Sequence, residues 1–273
     1  MSGEPRPRIS VLIITLNAER MLEQVLDSVA WADEIVIVDS GSTDRTAEIA
    51  LRYTPSFHTF PYEGHGLQRR RSLELSSGEW ILYVDADEVV TPELRDSIER
   101  AVRDPGEAVA FRMELYTWFF GRWFGPGSWR KEWKVRLFRR DRGHFDARPI
   151  HEGAVIEGPI GTLRGALLHY PYRDIAHVAE KANLYSTAMA DDRFAAGKRS
   201  SAGMAVARAI GRFVRDYLFG GEFLKGSAGL VRSSLNGYYT FLKYAKLWER
   251  SQDPPGSGRY EPARDRASSR PTA

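Results

Sequence analysis

The stretch that most constrains this chain is an apolar run that ends in three carboxylates, at residues 80–88 (Trp-Ile-Leu-Tyr-Val-Asp-Ala-Asp-Glu). An unbroken apolar run of this length predicts a strand buried on both faces. The acids then lie at its carboxyl end, the edge at which open α/β sheets bind ligands. Asp85 and Asp87 are one residue apart and project to the same side of an extended chain. Such a pair is typical of a site for a divalent cation that binds phosphate oxygens, although an acidic turn before a helix is the simpler interpretation.

The first 103 residues alternate between strand and helix patterns. Strands are predicted at residues 9–15, 34–39, 57–60 and 80–84, and helices at 17–31, 44–52, 64–76 and 91–103. This alternation predicts an α/β fold built on a parallel sheet with right-handed crossovers. Because parallel strands share one carboxyl edge, the acids after three of them, Glu19, Asp39 and Asp85, are expected to converge on one ligand.

The turn after the first strand excludes two common nucleotide-binding folds. Residues 15–19 read Thr-Leu-Asn-Ala-Glu and contain no glycine. A dinucleotide-binding fingerprint needs glycines there for close approach to the pyrophosphate, and a P-loop needs Gly-Lys-Ser/Thr. A nucleotidyltransferase would likewise need a glycine-rich phosphate loop near this point.

Composition bounds the compartment and the partners. The chain has no cysteine, which excludes thiolate metal sites and disulfides and fits a reducing compartment. Neither a secretory signal nor an apolar stretch long enough to span a membrane is recognisable. The net charge is +3, yet residues 198–250 carry ten Lys/Arg against three Asp/Glu, a net +7. A basic amphipathic segment of this kind predicts docking on an anionic membrane surface, or a helix that only packs on the rest of the protein. Nucleic acid is not expected as a partner.

The second half of the chain has a different pattern. Residues 109–116 and 134–139 alternate as half-buried strands, and four tryptophans lie between them, at positions 118, 123, 129 and 133. They are expected either to stack on sugar rings or to pack a sheet extension. Asp174 is predicted to cap a helix to about residue 196 whose inward face is Ile175, Val178, Ala182, Tyr185 and Met189. Residues 203–249 are predicted as helix interrupted by glycines at 220, 221, 226 and 229.

Three motifs now point to one family. Thr-Leu-Asn-Ala-Glu at 15–19, Val-Asp-Ser-Gly-Ser-Thr-Asp at 38–44 and Val-Asp-Ala-Asp-Glu at 84–88 resemble the nucleotide-sugar domain of glycosyltransferase family 2. The resemblance implies the GT-A fold, with a mixed, mostly parallel sheet over residues 8–170. A helical region at 171–250 and a disordered tail at 251–273 are expected to follow.

The resemblance also implies roles for particular residues. Donor binding would fall to Thr15, Asn17, Glu19 near the ribose, Asp39 on the base, Arg69 and Asp85. The metal, Mg²⁺ or Mn²⁺, would be held by Asp87 and Asp85, with His169 as a third ligand or else an ordinary strand residue. The expected donor is a UDP-sugar, and the alternative for Asp39 and Asp44 is helix capping. Arg136 and Arg139 are further candidates for diphosphate or acceptor phosphates.

A narrower resemblance is to the lipopolysaccharide core β-1,4-glucosyltransferase type. It rests on the motifs Ala-Trp-Ala-Asp-Glu at 30–34, Arg-Leu-Phe-Arg-Arg at 136–140, His-Glu-Gly at 151–153 and Phe-Leu-Lys-Tyr-Ala-Lys-Leu-Trp at 241–248. It implies transfer of glucose to a lipid-linked or oligosaccharide acceptor by an enzyme peripheral to the cytoplasmic face of the inner membrane. A non-catalytic sugar-nucleotide or glycan-binding relative is the alternative.

Inverting transfer needs one general base for the acceptor hydroxyl. Glu152 is the candidate, because it follows the aromatic region and matches the His-Glu pair of that type, and Asp146 is the second choice. The simpler interpretation of residues 151 and 152 is a surface pair at the end of a strand.

Overall fold

The computed structural model describes residues 7–125, 133–146 and 153–252. The strands are β1 Ile9–Thr15, β2 Glu34–Asp39, β3 Phe57–Thr59, β4 Trp80–Asp85, β5 Glu88–Val90, β6 Ala110–Phe119, β7 Arg122–Phe124, β8 Trp133–Arg139, β9 Gly143–Phe145, β10 Ala154–Ile156 and β11 Ile160–His169. The helices are α1 Leu22–Val29, α2 Thr46–Leu51, α3 His65–Leu75, α4 Pro92–Arg103, α5 Ile175–Ala195, α6 Ala202–Val214 and α7 Ser227–Arg250.

The chain divides into two compact units. The first contains Met1–Thr117 and Lys131–Pro171, and the second contains Trp118–Arg130 and Tyr172–Ala273. The sequence-based division placed the boundary between the sheet domain and the helical region after residue 170, and a second boundary after residue 250. Residues 118–130, which interrupt the sheet region in sequence, therefore group with the helical unit. The predicted tail from 251 onward lies almost entirely outside the described residues.

The sheet of the first unit is mixed, as predicted. Its strand order is β3-β2-β1-β4-β8-β6-β11-β5. The first four strands run parallel, β6 and β11 also pair in parallel, and β8 and β5 are antiparallel to their neighbours. The two central strands, β1 and β4, are apolar on both faces because both faces are covered, and five or more consecutive residues of each are buried. The predicted bounds of β1 and β2 are confirmed residue for residue.

The far side of this sheet depends on one glycine. Gly165 lies in β11 at φ +83, where a Cβ would come within 2.3 Å of the Leu94 backbone nitrogen. The register of β11 against β6 shifts between Thr162 and Ala166 at this bulge. Beyond it, β11 realigns and pairs His169 with Glu88 of β5. Only glycine adopts this conformation at so close an approach, and it aligns the end of β11 with the acidic turn after β4.

The second unit contains three long helices, with α7 packed against both α5 and α6. Lys246 on α7 donates to the Asn183 and Thr187 side chains of α5 at 2.6 and 2.7 Å, and Arg250 pairs with Asp191 at 2.7 Å. Gly237 is the close-approach position on α7, because a Cβ there would lie 3.2 Å from the Ala209 carbonyl of α6. Side-chain hydrogen bonds and an ion pair therefore connect α7 to α5, and a close backbone approach connects α7 to α6.

Two predictions for this unit were wrong. The buried face of α5 contains Val178, Ala182, Ser186 and Ala190, whereas Ile175, Tyr185 and Met189 are exposed by 45%, 48% and 38%. Small side chains at a spacing of four let α5 approach its neighbour closely, so the larger apolar residues lie outside that contact. Gly229 does not interrupt a helix but is part of α7, which begins after Gly226. Within the described residues, no helix is both long and apolar enough to cross a bilayer.

Candidate active site

The strand ladders bring three functional loops to one edge of the sheet. β1 is central, with Thr15 opposite Asp39 of β2 on one side and Ile14 opposite Asp85 of β4 on the other. The convergence predicted from the alternating pattern is thus built by the register of β1. Helix α3 also connects two of these loops, because Gln68 donates to the Ser40 hydroxyl at 2.8 Å and Arg69 binds Asp85.

Asp39 organises the loop that follows β2. One carboxylate oxygen accepts from the hydroxyls of Thr15, at 2.8 Å, and Ser42, and the other accepts from the backbone N–H groups of Gly41 and Ser42, both at 2.8 Å. A carboxylate offers about four acceptor positions, so those of Asp39 are filled, and its side chain is only 3% exposed. Reading of a nucleotide base by Asp39 stays a prediction that needs part of this network to open.

Asn17 and Glu19 connect the loop after β1 to the loop after β2. The Asn17 side-chain oxygen accepts from the Thr43 backbone N–H at 2.9 Å, and the Glu19 carboxylate accepts from the Arg45 N–H at 3.1 Å. Both residues are exposed, and Asn17 has a left-handed φ of 49. They are in a position to contact a ligand while holding the two loops together.

Asp44 lies just before α2, whose N-cap residue is Arg45 and has no side-chain cap hydrogen bond. Asp44 accepts from the Thr46 backbone N–H at 3.0 Å and from the Glu19 N–H at 3.1 Å. Partial burial raises the pKa of Asp44, but the hydrogen bonds from Thr46 and Glu19 outweigh it and hold the pKa below its usual range.

Asp85 is the partly exposed member of an ion cluster at the end of β4 whose other members, Arg69, Arg136 and Glu88, are buried. Its two oxygens accept from Arg69, at 2.7 Å, and from Arg136, at 2.8 Å. The same Arg136 nitrogen contacts Glu88 at 2.5 Å, and Glu88 accepts the Asp85 backbone N–H at 3.0 Å. Arg136 arrives there because β8 pairs with β4, Leu137 lying opposite Leu82. Both guanidinium groups also lie over the Tyr83 ring, at 5.3 and 4.7 Å from its centroid.

The pKa values of the side chains in this cluster shift in different directions. Burial raises the pKa of Asp85, but the charges of Arg136 and Arg69 lower it more, so the pKa lies well below its usual range. Burial raises the pKa of Glu88 above its ordinary value, although Arg136 offsets part of that effect. The Arg136 pKa is raised by the two carboxylates despite its burial. Asp85 is therefore the more readily ionised acid of the cluster; Arg136 binds both Asp85 and Glu88, and Arg69 binds Asp85.

Asp87 pairs with His169. Ala86 and Asp87 form a turn between β4 and β5, so the two aspartates are not two positions of one extended strand as the sequence argument assumed. The Asp87 carboxylate lies 3.5 Å from His169 Nε2, and the Tyr170 N–H binds the Asp87 carbonyl at 2.9 Å. The carboxylate side chain is 30% exposed and the imidazole 24%.

The electrostatics of His169 follow from its neighbours. Burial lowers the pKa of His169, but the carboxylate of Asp87 and those of Glu88 and Asp85 raise it more, so the pKa lies above its ordinary value. Its other ring nitrogen, Nδ1, is buried and has no hydrogen-bond partner among the described residues.

Asp87 and His169 suit a divalent cation by the chemistry of their donors. In the described part of the chain, no group of three or more Asp, Glu or His side chains is placed to hold a metal. One carboxylate and one imidazole leave most coordination positions for diphosphate oxygens and water, which is how Mg²⁺ and Mn²⁺ bind with phosphate substrates. Asp85, predicted both as donor-binding and as metal ligand, is instead turned to the two arginines.

The two candidate bases, Asp146 and Glu152, lie between β9 and β10 in the sequence. Glu152, together with His151, lies outside the described residues. β9 and β10 pair with Phe145 opposite Ala154, so Asp146, which is half-buried, and Gly153 lie at the two ends of segment 147–152. Phe145 packs edge-on against Tyr83 at 5.0 Å, and the Ala154 N–H approaches the Tyr83 hydroxyl at 3.4 Å. Phe145 and Ala154 therefore both lie beside Tyr83 of β4, two residues before Asp85.

The remaining sequence candidates are dispersed. Arg139 pairs with Asp141 on the surface at 3.0 Å. Trp118 and Trp123 pack edge-on at 5.1 Å within the second unit, and Arg112 lies over Trp133 at 5.1 Å within the first. Trp129 lies outside the described residues. The residues that sequence reasoning missed are Gln68, Tyr83 and Glu88, and of these only Glu88 had a signal, its place directly after the two aspartates.

The family can now be stated from comparison with known proteins. The profile of glycosyl transferase family 2 matches residues 10–155. The lipopolysaccharide core biosynthesis glycosyltransferase LpsC of Rhizobium meliloti is 33% identical over 253 residues, which cover 90% of this chain and 94% of the relative. An uncharacterized glycosyltransferase of Rickettsia typhi, RT0209, is 30% identical over 261 residues, covering 89% and 88%. The chain belongs to glycosyltransferase family 2, and its mixed sheet agrees with the predicted GT-A fold.

Two solved structures are also similar to it. Staphylococcus aureus TarS 1–349 is 16% identical with a TM-score of 0.45, and the match covers 88% of this chain and 89% of that one. Mycobacterium tuberculosis glucosyl-3-phosphoglycerate synthase, in complex with Mn²⁺, UDP-glucose and phosphoglyceric acid, is 25% identical with a TM-score of 0.36. That match covers 40% of this chain and 44% of the synthase. At these TM-scores neither structure bears on the site itself.

Proposed function

We propose that this protein is an inverting, metal-dependent hexosyltransferase that moves glucose from a UDP-sugar to an acceptor in the lipopolysaccharide core. The observation that carries the proposal is the pairing of Asp87 with His169 beside the Arg69–Asp85–Arg136 cluster, at the edge where the β1 and β2 loops converge. Similarity to LpsC along nine-tenths of the chain supports the acceptor class.

Each side chain has a part in holding the donor. Asp87 and His169 would hold Mg²⁺ or Mn²⁺, which as a Lewis acid stabilises the departing diphosphate. Arg69 and Arg136 fix Asp85 and, with Glu88, keep the turn at Ala86 in place. Asn17 would line the nucleotide site and Glu19 would lie near the ribose, and Asp39 would hold the loop beside the base while reading its edge.

Glu152 is proposed to take the proton of the acceptor hydroxyl. The hydroxyl oxygen then forms a bond to the anomeric carbon as the bond from that carbon to the phosphate oxygen breaks, and the nucleoside diphosphate leaves with the electron pair. A base placed opposite the leaving group gives inversion without a covalent intermediate. The position of Gly153 and Ala154 beside Tyr83 supports Glu152, and Asp146 at the other end of the same segment is the second choice.

The reaction is proposed to take place on the cytoplasmic face of the inner membrane. The basic residues of segment 198–250 support this location, since a lipid-anchored acceptor must be met at the membrane surface.

The test is transfer from UDP-glucose to lipopolysaccharide isolated from a strain that lacks this protein, followed by mass spectrometry. We expect a mass increase of one hexose that requires Mn²⁺ or Mg²⁺ and is lost in EDTA. If UDP-glucose binds but no hexose is transferred to this acceptor from any hexose donor, the protein is instead a non-catalytic relative.

The base is tested by Glu152→Gln, which keeps the size of the side chain and removes its basicity. Transfer should fall by about 10²–10⁴-fold while UDP-glucose binding is retained. Asp146→Asn is the matched variant at the other end of the hairpin segment. Near-normal transfer by Glu152→Gln together with an inactive Asp146→Asn would give the role to Asp146.

A further inference from the structure

The turn between α6 and α7 has the reverse of the usual burial pattern. A π-helical turn at Arg215–Phe219 leads through two glycines into a 3-10 turn at Glu222–Lys225. Its two carboxylates, Asp216 and Glu222, are each only 8% exposed. Its four large apolar side chains project outward, with exposed fractions of 53% for Leu218, 70% for Phe219, 47% for Phe223 and 76% for Leu224. We call these four residues the apolar tip.

The inward carboxylates are fully partnered. Asp216 binds Arg212, accepts from Arg215 at 3.2 Å and accepts from the Asn236 side chain at 3.0 Å. Glu222 binds Arg232 and accepts from the Ser233 hydroxyl at 2.6 Å. A buried carboxylate with several partners anchors the backbone that carries it. These two anchors hold the turn so that the apolar residues between and after them face outward.

The backbone of the turn is also closely packed. A Cβ at Gly220 would lie 2.4 Å from the Asp216 carbonyl oxygen, and one at Gly229 would lie 1.8 Å from the Glu222 carbonyl oxygen. Tyr217 stacks on Phe213 at 5.3 Å. The apolar tip is therefore presented by a tightly built turn rather than by a loose loop.

The surroundings of the tip are basic. Arg215 and Lys225 belong to the turn itself and are exposed, and the segment 198–250 as a whole has ten basic against three acidic residues. An apolar projection beside exposed cations matches a bilayer interface, where a hydrocarbon layer lies beneath anionic headgroups. A protein groove would require apolar complementarity but would not call for this charge.

We propose that the apolar tip, Leu218, Phe219, Phe223 and Leu224, inserts into the interface of an anionic bilayer while the neighbouring cations contact lipid headgroups. The inference refines the membrane location proposed above and rests on it. Vesicle binding is measured without donor or acceptor, so failure here would leave the proposed sugar transfer standing, and failure of transfer would leave the tip standing.

The first test is flotation of the full chain with vesicles of phosphatidylethanolamine and phosphatidylglycerol at low salt. The wild-type protein should float with them, float poorly with phosphatidylcholine, and be released as salt rises. The variant Phe219→Ser/Leu224→Ser should bind at least about tenfold more weakly, because it loses two insertable apolar side chains. Its thermal unfolding should be unchanged, since both side chains are already exposed.

The matched control is Leu51→Ser/Leu184→Ser, which removes two apolar side chains that are 58% and 49% exposed elsewhere. It should float like the wild type. Equal loss of binding in both variants would overturn the assignment to the tip, as would absence of wild-type flotation with anionic vesicles. A tip that only mediates concentration-dependent dimerisation, abolished by Phe219→Ser/Leu224→Ser without any vesicle binding, would also overturn it.

The second test uses the absence of cysteine from the chain. Phe219→Cys and, as the control, Leu184→Cys are each labelled with one environment-sensitive fluorophore. Anionic vesicles should shift the emission of the label at position 219 to the blue and protect it from a water-soluble quencher, leaving the label at 184 unchanged. A label at 219 that stays fully quenchable on saturating vesicles would rule out insertion.

Discussion

The carboxyl edge of the sheet in the first unit, which we call the acidic edge, and the apolar tip of the second unit both hold carboxylates in ion pairs with arginines. The side chains beside these ion pairs differ in character between the two places. At the edge, Arg69 and Arg136 bind Asp85, whereas the neighbouring acid Asp87, whose side chain is as exposed as that of Asp85, pairs with His169. At the tip, Asp216 and Glu222 are buried in ion pairs, and the neighbours left exposed are leucine and phenylalanine. In both places ion pairs between carboxylates and arginines fix a turn. The residues beside the cluster decide what the turn presents, a hard-cation site or an apolar surface.

The largest expected effect comes from removing Asp87, the acid of the edge that pairs with His169. Asp87→Ala should lower kcat/KM by about 10³-fold, because a metal ion contributes several kcal/mol to stabilising transition-state charge. The variant should also lose the Mn²⁺-dependent part of its thermal stabilisation by UDP-glucose. Steady-state transfer and thermal shift measure the two effects.

Asp96→Ala removes an exposed aspartate of α4 and serves as the control, with both quantities expected to stay at the wild-type level. Mn²⁺-dependent donor binding that survives in Asp87→Ala would remove this aspartate from the metal site. The acidic edge would then differ from the apolar tip without a metal ion bound at Asp87.

The sequence predicts the edge well because its signals are local. Unbroken apolar runs that end in Thr15, Asp39 and Asp85 define both the strands and the place where each acid emerges. Family resemblance adds the order of the loops. The ion cluster is different, because Arg136 meets Asp85 only after β8 has inserted beside β4, a contact across 51 residues of sequence. Nothing local marks Arg136 and excludes Arg139, three residues away on the same strand.

The tip shows a second limit. Spacing predicted the helices on either side, and the glycines at 220, 221 and 226 predicted the break. Hydrophobicity alone would bury Phe219 and Leu224, just as it wrongly buried Ile175 and Tyr185. Small residues that permit close helix approach, and carboxylates with partners on α7, decide which side chains face inward. Those partners are 11 and 20 residues distant, beyond the reach of periodicity.

The next effect tests the cluster at the edge as a structural device. Arg136→Met should lower the free energy of unfolding by about 3–5 kcal/mol, because it leaves Glu88, which is 1% exposed, without its cationic partner. Chemical denaturation followed by circular dichroism measures the loss. The double variant Arg136→Met/Glu88→Gln should recover part of it, since the uncompensated charge is gone.

Arg139→Met removes an arginine whose partner, Asp141, is on the surface, and should cost no more than about 1 kcal/mol. If Arg136→Met lowers the free energy of unfolding no more than this control does, the ion cluster does not fix the turn between β4 and β5. The acidic edge and the apolar tip would then not share this structural feature.

The smallest effect is expected at the apolar tip, from a variant that disturbs the backbone of the turn and keeps its apolar side chains. Gly229→Ala places a methyl group where only 1.8 Å separates it from the Glu222 carbonyl oxygen, so the 3-10 turn has to move. Overpacking of this kind costs about 1–3 kcal/mol. Gly211→Ala, on α6 with no atom within 4 Å of the added methyl, should instead stabilise by about 0.4–1 kcal/mol.

Gly229→Ala keeps every apolar side chain of the tip, so vesicle flotation separates the effect of the backbone from that of the side chains. Weaker flotation with anionic vesicles in this variant alone would show that the conformation of the turn, and not hydrophobicity by itself, presents the tip. Flotation equal to wild type despite the lost stability would mean that the side chains suffice. The ion pairs of Asp216 and Glu222 would then stabilise the helices without shaping the tip.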